Sequence, residues 1–204
     1  MRKRSILKVL LLGDSAVGKT ALVNRFVHKK FDSSYKATIG ADFFTKDVNV
    51  CGRVTTLQIW DTVGQERFQS MGISFYRGAD CVVLVYDVTS PATYHAIETW
   101  KEEFLIHGSP REPTNFPFVV IGNKIDLENR VCCLDEVQDL MMRDYTVPCF
   151  LTSAKDGTNV EEAFSMVAKL ALSVDADDEY FNSFPECLEF RSGQPDIVSN
   201  KCSC

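Results

Sequence analysis

Residues 13–20 read Gly13-Asp14-Ser15-Ala16-Val17-Gly18-Lys19-Thr20, a G-x-x-x-x-G-K-T segment directly after the apolar run at 6–12. This segment constrains the fold because its residues work together only where a strand hands over to a helix. There the backbone N–H groups of Ser15, Ala16, Val17 and Gly18 can converge on phosphate oxygens, and the helix opening near Lys19 adds its positive dipole end. Gly18 permits close approach of the backbone. Lys19 supplies a point charge to the β- and γ-phosphates, and the Thr20 hydroxyl suits Mg²⁺. A glycine-rich turn is the plainer reading of the same letters.

The flanking pattern supplies the context the motif needs. Apolar runs at 8–12, 81–86 and 118–121 are continuous rather than alternating, as expected for strands covered on both faces. Amphipathic stretches lie between them, so the chain is α/β with a largely parallel sheet. Ser90-Pro91 offers an N-cap and a first-turn proline ahead of Ile97, Trp100 and Phe104. Thr158 and Glu161 match a capping box ahead of Val160, Ala163, Phe164, Val167 and Leu170. Segments 41–50 and 53–60 are separated by Cys51-Gly52 alone, too little chain for a parallel crossover, which predicts an antiparallel hairpin. From residue 174 the composition turns to Asp, Glu, Ser, Asn, Gly and Pro, so residues 1–173 are expected to fold and 174–204 to form a flexible tail.

Charge and cysteine usage narrow the functional classes. A net charge of −6 and a pI near 5.1 argue against a nucleic-acid binder. The basic start Met1-Arg2-Lys3-Arg4 precedes an apolar run that Lys8 interrupts and that ends in Gly13-Asp14 with no cleavage pattern, so a buried strand is expected rather than a secretory signal. Cys51, Cys81, Cys132, Cys133, Cys149 and Cys187 are scattered through strand-like and helix-like segments, which fits a reducing compartment. His28, His95 and His107 stand alone on helical patterns, away from any zinc-site spacing.

Three further segments complete a nucleotide site. Asp61-Thr62-Val63-Gly64-Gln65 follows a strand ending at Trp60. Asp61 can hold a Mg²⁺-bound water, the Gly64 N–H can meet a γ-phosphate, and Gln65 can orient an attacking water. Asn123-Lys124-Ile125-Asp126 follows the buried run ending in Ile121-Gly122, at the carboxyl end of a strand where ligands gather in open α/β sheets. The ionised Asp126 accepts two hydrogen bonds side by side, matching guanine N1–H and its exocyclic amine and mismatching adenine. Thr152-Ser153-Ala154-Lys155 comes after strand-like 147–151 and could bring a backbone N–H to guanine O6.

These elements in this order resemble the Ras superfamily of small GTPases over residues 6–173. The resemblance implies a Ras-like P-loop GTPase fold, a six-stranded mixed sheet, mostly parallel, with helices on both faces. It implies GTP and GDP as ligands and Mg²⁺ as cofactor. It would place Phe31 against the guanine ring, Tyr35 and Thr38 in the first switch, and the Thr38 hydroxyl on the Mg²⁺; an ordinary apolar residue after a helix is the alternative for Phe31. Within the superfamily, Trp60-Asp61-Thr62, Gly64-Gln65-Glu66-Arg67-Phe68 and Phe75-Tyr76-Arg77-Gly78-Ala79-Asp80 resemble Rab proteins. Lys36-Ala37-Thr38-Ile39-Gly40-Ala41-Asp42-Phe43, Glu103-Phe104-Leu105-Ile106, Asn115-Phe116-Pro117-Phe118 and the segment 122–130 are similar to the branch at late endosomes and lysosomes. That branch implies an effector surface on Phe43, Trp60 and Phe75, although all three could be half-buried sheet residues.

The ending Lys201-Cys202-Ser203-Cys204 resembles the Cys-x-Cys terminus of Rabs, which carries geranylgeranyl groups on both cysteines. One lipid anchors only marginally, and the second signal must be a lipid or a polybasic patch. The tail carries Asp175, Asp177, Asp178, Glu179, Glu186, Glu189 and Asp196 against Arg191 and Lys201, so two lipids are needed. The resemblance further implies a GTPase-activating protein, an exchange factor, a prenyl-binding chaperone, effectors, the cytoplasmic face of the membrane and a cytosolic pool. Val63 departs from the pattern, because Rabs usually carry Ala there. An ATP-using phosphotransferase would share residues 13–20 but leave Asn123-Lys124-x-Asp126 unexplained. A nucleotide-held binding module that does not hydrolyse is the other alternative.

Overall fold

A computed structural model describes residues 5–34, 42–50, 52–62, 75–130 and 147–175. The elements run β1 (Ser5–Leu12), α1 (Lys19–His28), β2 (Asp42–Val50), β3 (Arg53–Asp61), β4 (Cys81–Asp87), α2 (Pro91–Gly108), β5 (Phe118–Asn123), β6 (Cys149–Leu151) and α3 (Val160–Asp175). They form one six-stranded sheet in the order β2-β3-β1-β4-β5-β6. β2 and β3 pair antiparallel, as their short connection requires, and the other neighbours are parallel.

Both faces of the central strands are covered, which explains their unbroken apolar runs. Side chains alternate between faces along a strand. Leu7, Val9 and Leu11 of β1 join Val83, Val85, Val119 and Ile121 beneath α1 and α3. Leu10 and Leu12 join Val82, Leu84 and Val120 beneath α2. The first layer is keyed by Phe26 of α1 against Phe164 of α3, stacked with centroids 4.2 Å apart. The second is built on Tyr94, Ile97, Trp100 and Phe104, which include the three apolar α2 positions expected from helical spacing.

The helix starts differ from their expected capping chemistry. Ser90 has the extended backbone of an N-cap and Pro91 follows it, but the Ser90 side chain makes no cap bond. Thr93 Oγ1 instead donates to the Ser90 carbonyl at 2.8 Å. The Thr158–Glu161 capping box does not form: the Thr158 hydroxyl donates to Asp156 Oδ1 at 2.6 Å. The first α3 turn opens at Asn159, whose carbonyl accepts from Ala163 N. Glu161 is drawn away to Lys29 and Lys46, because two cations lie within its reach.

The architecture fixes where a ligand can sit. After β1 the chain continues to β2 and β3 on one side of it and then to β4, β5 and β6 on the other, and such a reversal of strand order opens a crevice at the carboxyl ends of the strands. β1 ends at Leu12, β3 at Asp61, β5 at Asn123 and β6 at Leu151, so all four sequence motifs emerge on that edge.

Candidate functional site

The loop from β1 to α1 is shaped by backbone that only glycine takes easily. Gly13 has φ 142, and a Cβ there would lie 2.1 Å from the Val85 carbonyl oxygen. Gly18 is the α1 N-cap at φ 100, where a Cβ would meet Asn123 Nδ2 at 2.4 Å. With no capping side chain, the first N–H groups of α1 are left for an anion. Lys19 is 6% exposed and its Nζ donates to the carbonyls of Gly13 at 2.7 Å and Asp14 at 2.8 Å. Burial pulls its ammonium down to about 8 against the opposing charges of Asp61 and Asp14. A phosphate would therefore meet a cation already held in position and short of negative charge.

Asp61 is fully buried beside this lysine. Thr20 Oγ1 donates to its Oδ2 at 2.5 Å, while Oδ1 is buried without a hydrogen-bond partner among the described residues. Burial raises the Asp61 carboxyl to about 6 despite the Thr20 hydrogen bond and the Lys19 charge, and Asp42 adds to the rise. A buried carboxylate oxygen lacking a donor, next to a hydroxyl oxygen, is the donor set that a hard divalent cation or its bound water satisfies. The residues present fit Mg²⁺. Thr62, the following residue, fastens this strand end by donating its hydroxyl to the Leu11 carbonyl at 2.6 Å.

On the other side of the loop, Asn123 joins three segments. Its Nδ2 donates to the Val17 carbonyl at 3.0 Å, and its Oδ1 accepts from Ala154 N at 3.1 Å and Thr152 Oγ1 at 3.4 Å. Lys124, at φ 74, reaches Asp87 Oδ2 at 2.6 Å. Asp126 Oδ1 accepts from Ser153 Oγ at 2.8 Å, and its Oδ2 lies 3.7 Å from Lys155 Nζ. The structure thus brings Ser15 through Thr20, Asp61, Asn123, Lys124, Asp126, Ser153, Ala154 and Lys155 to one edge of the sheet. Phe31 is 38% exposed in the chain that leaves α1. Tyr35, Thr38, Gly64 and Gln65, with Val63, lie outside the described residues. So do Cys202 and Cys204.

The expected aromatic surface is a continuous row. Phe43 and Trp60 are directly paired across β2 and β3, with centroids 5.7 Å apart, and Trp60 lies 5.2 Å from Phe75. Phe43 is 59% exposed, so it is not the half-buried sheet residue of the plainer reading, whereas Trp60 and Phe75 are half-buried.

Two positioning contacts had no signal in the sequence. Trp100 Nε1 of α2 donates to Asp14 Oδ1 at 2.8 Å, and Arg25 Nε of α1 donates to the Ala154 carbonyl at 2.7 Å. Helical spacing accounts for Trp100 as a core residue, and a basic residue late in a helix accounts for Arg25 as a dipole partner.

The chain is similar to known proteins along its length. The family profile described as Ras family matches residues 8–173. The "Ras-related protein Rab7" of Drosophila melanogaster is 53% identical, over 100% of this chain and 99% of its own length. The "Ypt/Rab-type GTPase avaA" of Emericella nidulans is 54% identical over 91% of each chain. The "Ypt/Rab-type GTPase ypt7" of Pyricularia oryzae is 52% identical over 100% of this chain and 98% of its own.

Proposed function

Since the chain belongs to the Ras family of small GTPases, in its Rab branch, we propose how its residues divide the work of a guanine-nucleotide switch. It hydrolyses GTP and regulates vesicle trafficking in the late endosome–vacuole pathway, associated with those membranes and served by the regulators and effectors typical of Rabs. Residues 15–20 take the phosphates, with Lys19 on the β- and γ-phosphoryl oxygens. Thr20 and Thr38 would hold Mg²⁺ directly, and Asp61 through a water. The bound ion supplies positive charge against the phosphoryl oxygens.

Gln65 orients the attacking water, and the Gly64 N–H reports whether a γ-phosphate is present. Asp126 reads guanine through its N1–H and amine, with its own carboxylate held by Ser153. The Ala154 N–H meets O6, sharing or exchanging the acceptor Asn123 Oδ1, and Phe31 lies against the ring. Tyr35 and Thr38 belong to a segment that GTP orders and hydrolysis releases. Effectors read that state beside Phe43, Trp60 and Phe75.

Residues 1–173 carry this switch, and residues 174–204 tether it. Geranylgeranyl groups on Cys202 and Cys204 hold it on the cytoplasmic face, and a prenyl-binding chaperone maintains a cytosolic pool. An exchange factor and a GTPase-activating protein set the two directions of the cycle. The observation that carries the division is Asn123, which hydrogen-bonds both the phosphate loop at Val17 and the base loop at Ala154. Extraction of the nucleotide that co-purifies with the protein tests it. Guanine nucleotide is the expected result; adenine nucleotide would overturn the reading of Asp126.

A further inference from the structure

Arg25 makes a three-way connection that neither phosphate binding nor base pairing explains. Its Nε donates to the Ala154 carbonyl at 2.7 Å, and its Nη2 donates to the next carbonyl, Lys155. Its Nη1 donates to the Lys29 carbonyl at 3.2 Å, at the end of its own helix. Two consecutive carbonyls of one loop are thus held by adjacent nitrogens of one rigid fork, a match that a lysine ammonium cannot reproduce. Gly157, at φ 93, lies over the same side chain, where a Cβ would come 3.5 Å from Arg25 Cδ. The Gly157 N–H closes the loop onto the Ser153 carbonyl at 2.9 Å. Arg25 belongs to α1, the helix that begins with Lys19 and Thr20.

We propose that Arg25 is a positioning residue for the guanine base. It sets the Ala154–Lys155 backbone so that the Ala154 N–H faces O6, and it ties that recognition to the helix whose first turn receives the phosphates. This rests on the proposed pairing of the Ala154 N–H with O6. The peptide carbonyls at 154 and 155 face Arg25 while the amide of 154 faces Asn123, so the loop is gripped from both sides. Releasing one side lets the amide drift, and a buried carbonyl of the ligand then loses its donor.

The test compares GDP with 2-aminopurine riboside diphosphate, which keeps the N2 amine and lacks O6; it also lacks the N1–H, a loss common to every variant, so the readout is how each substitution changes the preference between the two nucleotides. Equilibrium competition against ribose-labelled GDP, with Mg²⁺ present, gives Kd for the full-length protein and for Arg25→Gln and Arg25→Lys. Arg25→Lys retains the charge and most of the stem, guarding against a variant that merely fails to fold. Both substitutions are expected to weaken GDP about tenfold or more and the O6-lacking nucleotide less than twofold. Single-turnover hydrolysis of preloaded GTP should stay within twofold. Equal weakening of the two nucleotides would mean general loosening of α1 and would overturn the proposal, as would an unchanged GDP Kd. If the unsubstituted protein binds both nucleotides equally, the proposed reading of the base, through O6 and N1–H together, is wrong. If it prefers GDP and the Arg25 variants keep that preference, the role of Arg25 alone is wrong.

Discussion

Ala16 is a non-glycine residue at φ 64 in the middle of the phosphate loop, and its side chain is exposed, so nothing compensates the left-handed backbone by packing. The cost of that conformation is about 1–2 kcal/mol for an L-residue. Ala16→Gly removes it but adds about 0.4–1 kcal/mol of unfolded-chain entropy. A net gain of roughly 0.5–1 kcal/mol is expected in denaturant unfolding at saturating GDP, and a loss of stability would contradict the strain. Val63, where Rabs usually carry Ala, is β-branched and adjoins the proposed γ-phosphate contact at Gly64. Val63→Ala is expected to change the rate of nucleotide exchange or of hydrolysis, and identical rates in both assays would sink that idea. At this scale the sequence was legible where residue type carries the chemistry. That Lys19, Thr20 and Asp126 gather at one edge of the sheet could be read, because the roles proposed for them, on a phosphate, a hard cation and a guanine edge, each demand that residue type. Arg25 and Trp100 could not, because their partners lie 129 and 86 positions away, and each has a sufficient local explanation in its own helix.

Among the elements, α1 and α3 meet at a stacked aromatic contact. Phe164 is fully buried against Phe26, and Phe164→Ala should cost about 3–5 kcal/mol in chemical unfolding. A loss below 1 kcal/mol would mean the two helices are held by other contacts. The ends of β4 and β5 are joined by Asp87 and Lys124. Burial pushes the Asp87 carboxyl up, but hydrogen bonds from Lys124 and Thr89 outweigh it and leave the group below the usual carboxylate range. Stability from this group is therefore fully present above its unfolded value of about 3.9 and is lost as pH falls through the lower folded value. Asp87→Asn should flatten the acid limb of stability below pH ~4, and an unchanged acid limb would contradict the pairing. The hairpin of β2 and β3 could be foreseen from its two-residue connection. The α3 start could not, since Asp156 competes for the Thr158 hydroxyl and two lysines compete for Glu161, and a capping pattern names no competitors.

The whole molecule is a sheet whose carboxyl edge gathers four separate sequence motifs. Strand continuity made the α/β class legible, and the resemblance supplied the strand count that spacing alone had left open. The mutual bracing of the motifs was not legible, because it runs through Asn123 to backbone atoms, Val17 O and Ala154 N, whose partners sequence does not encode. Under the proposed division of the site, that bracing would couple the phosphate end of the nucleotide to its base end. Membership of the Ras family leads us to expect slow chemistry without an activating protein. The measurement that tests this most directly is single-turnover hydrolysis of GTP loaded on the full chain with Mg²⁺. Conversion to GDP at a rate on the order of 10⁻⁴ to 10⁻³ per second is expected, as for Ras-type enzymes acting alone. Bound GTP that persists unhydrolysed far beyond that time would contradict a timed switch and favour a nucleotide-held binding module.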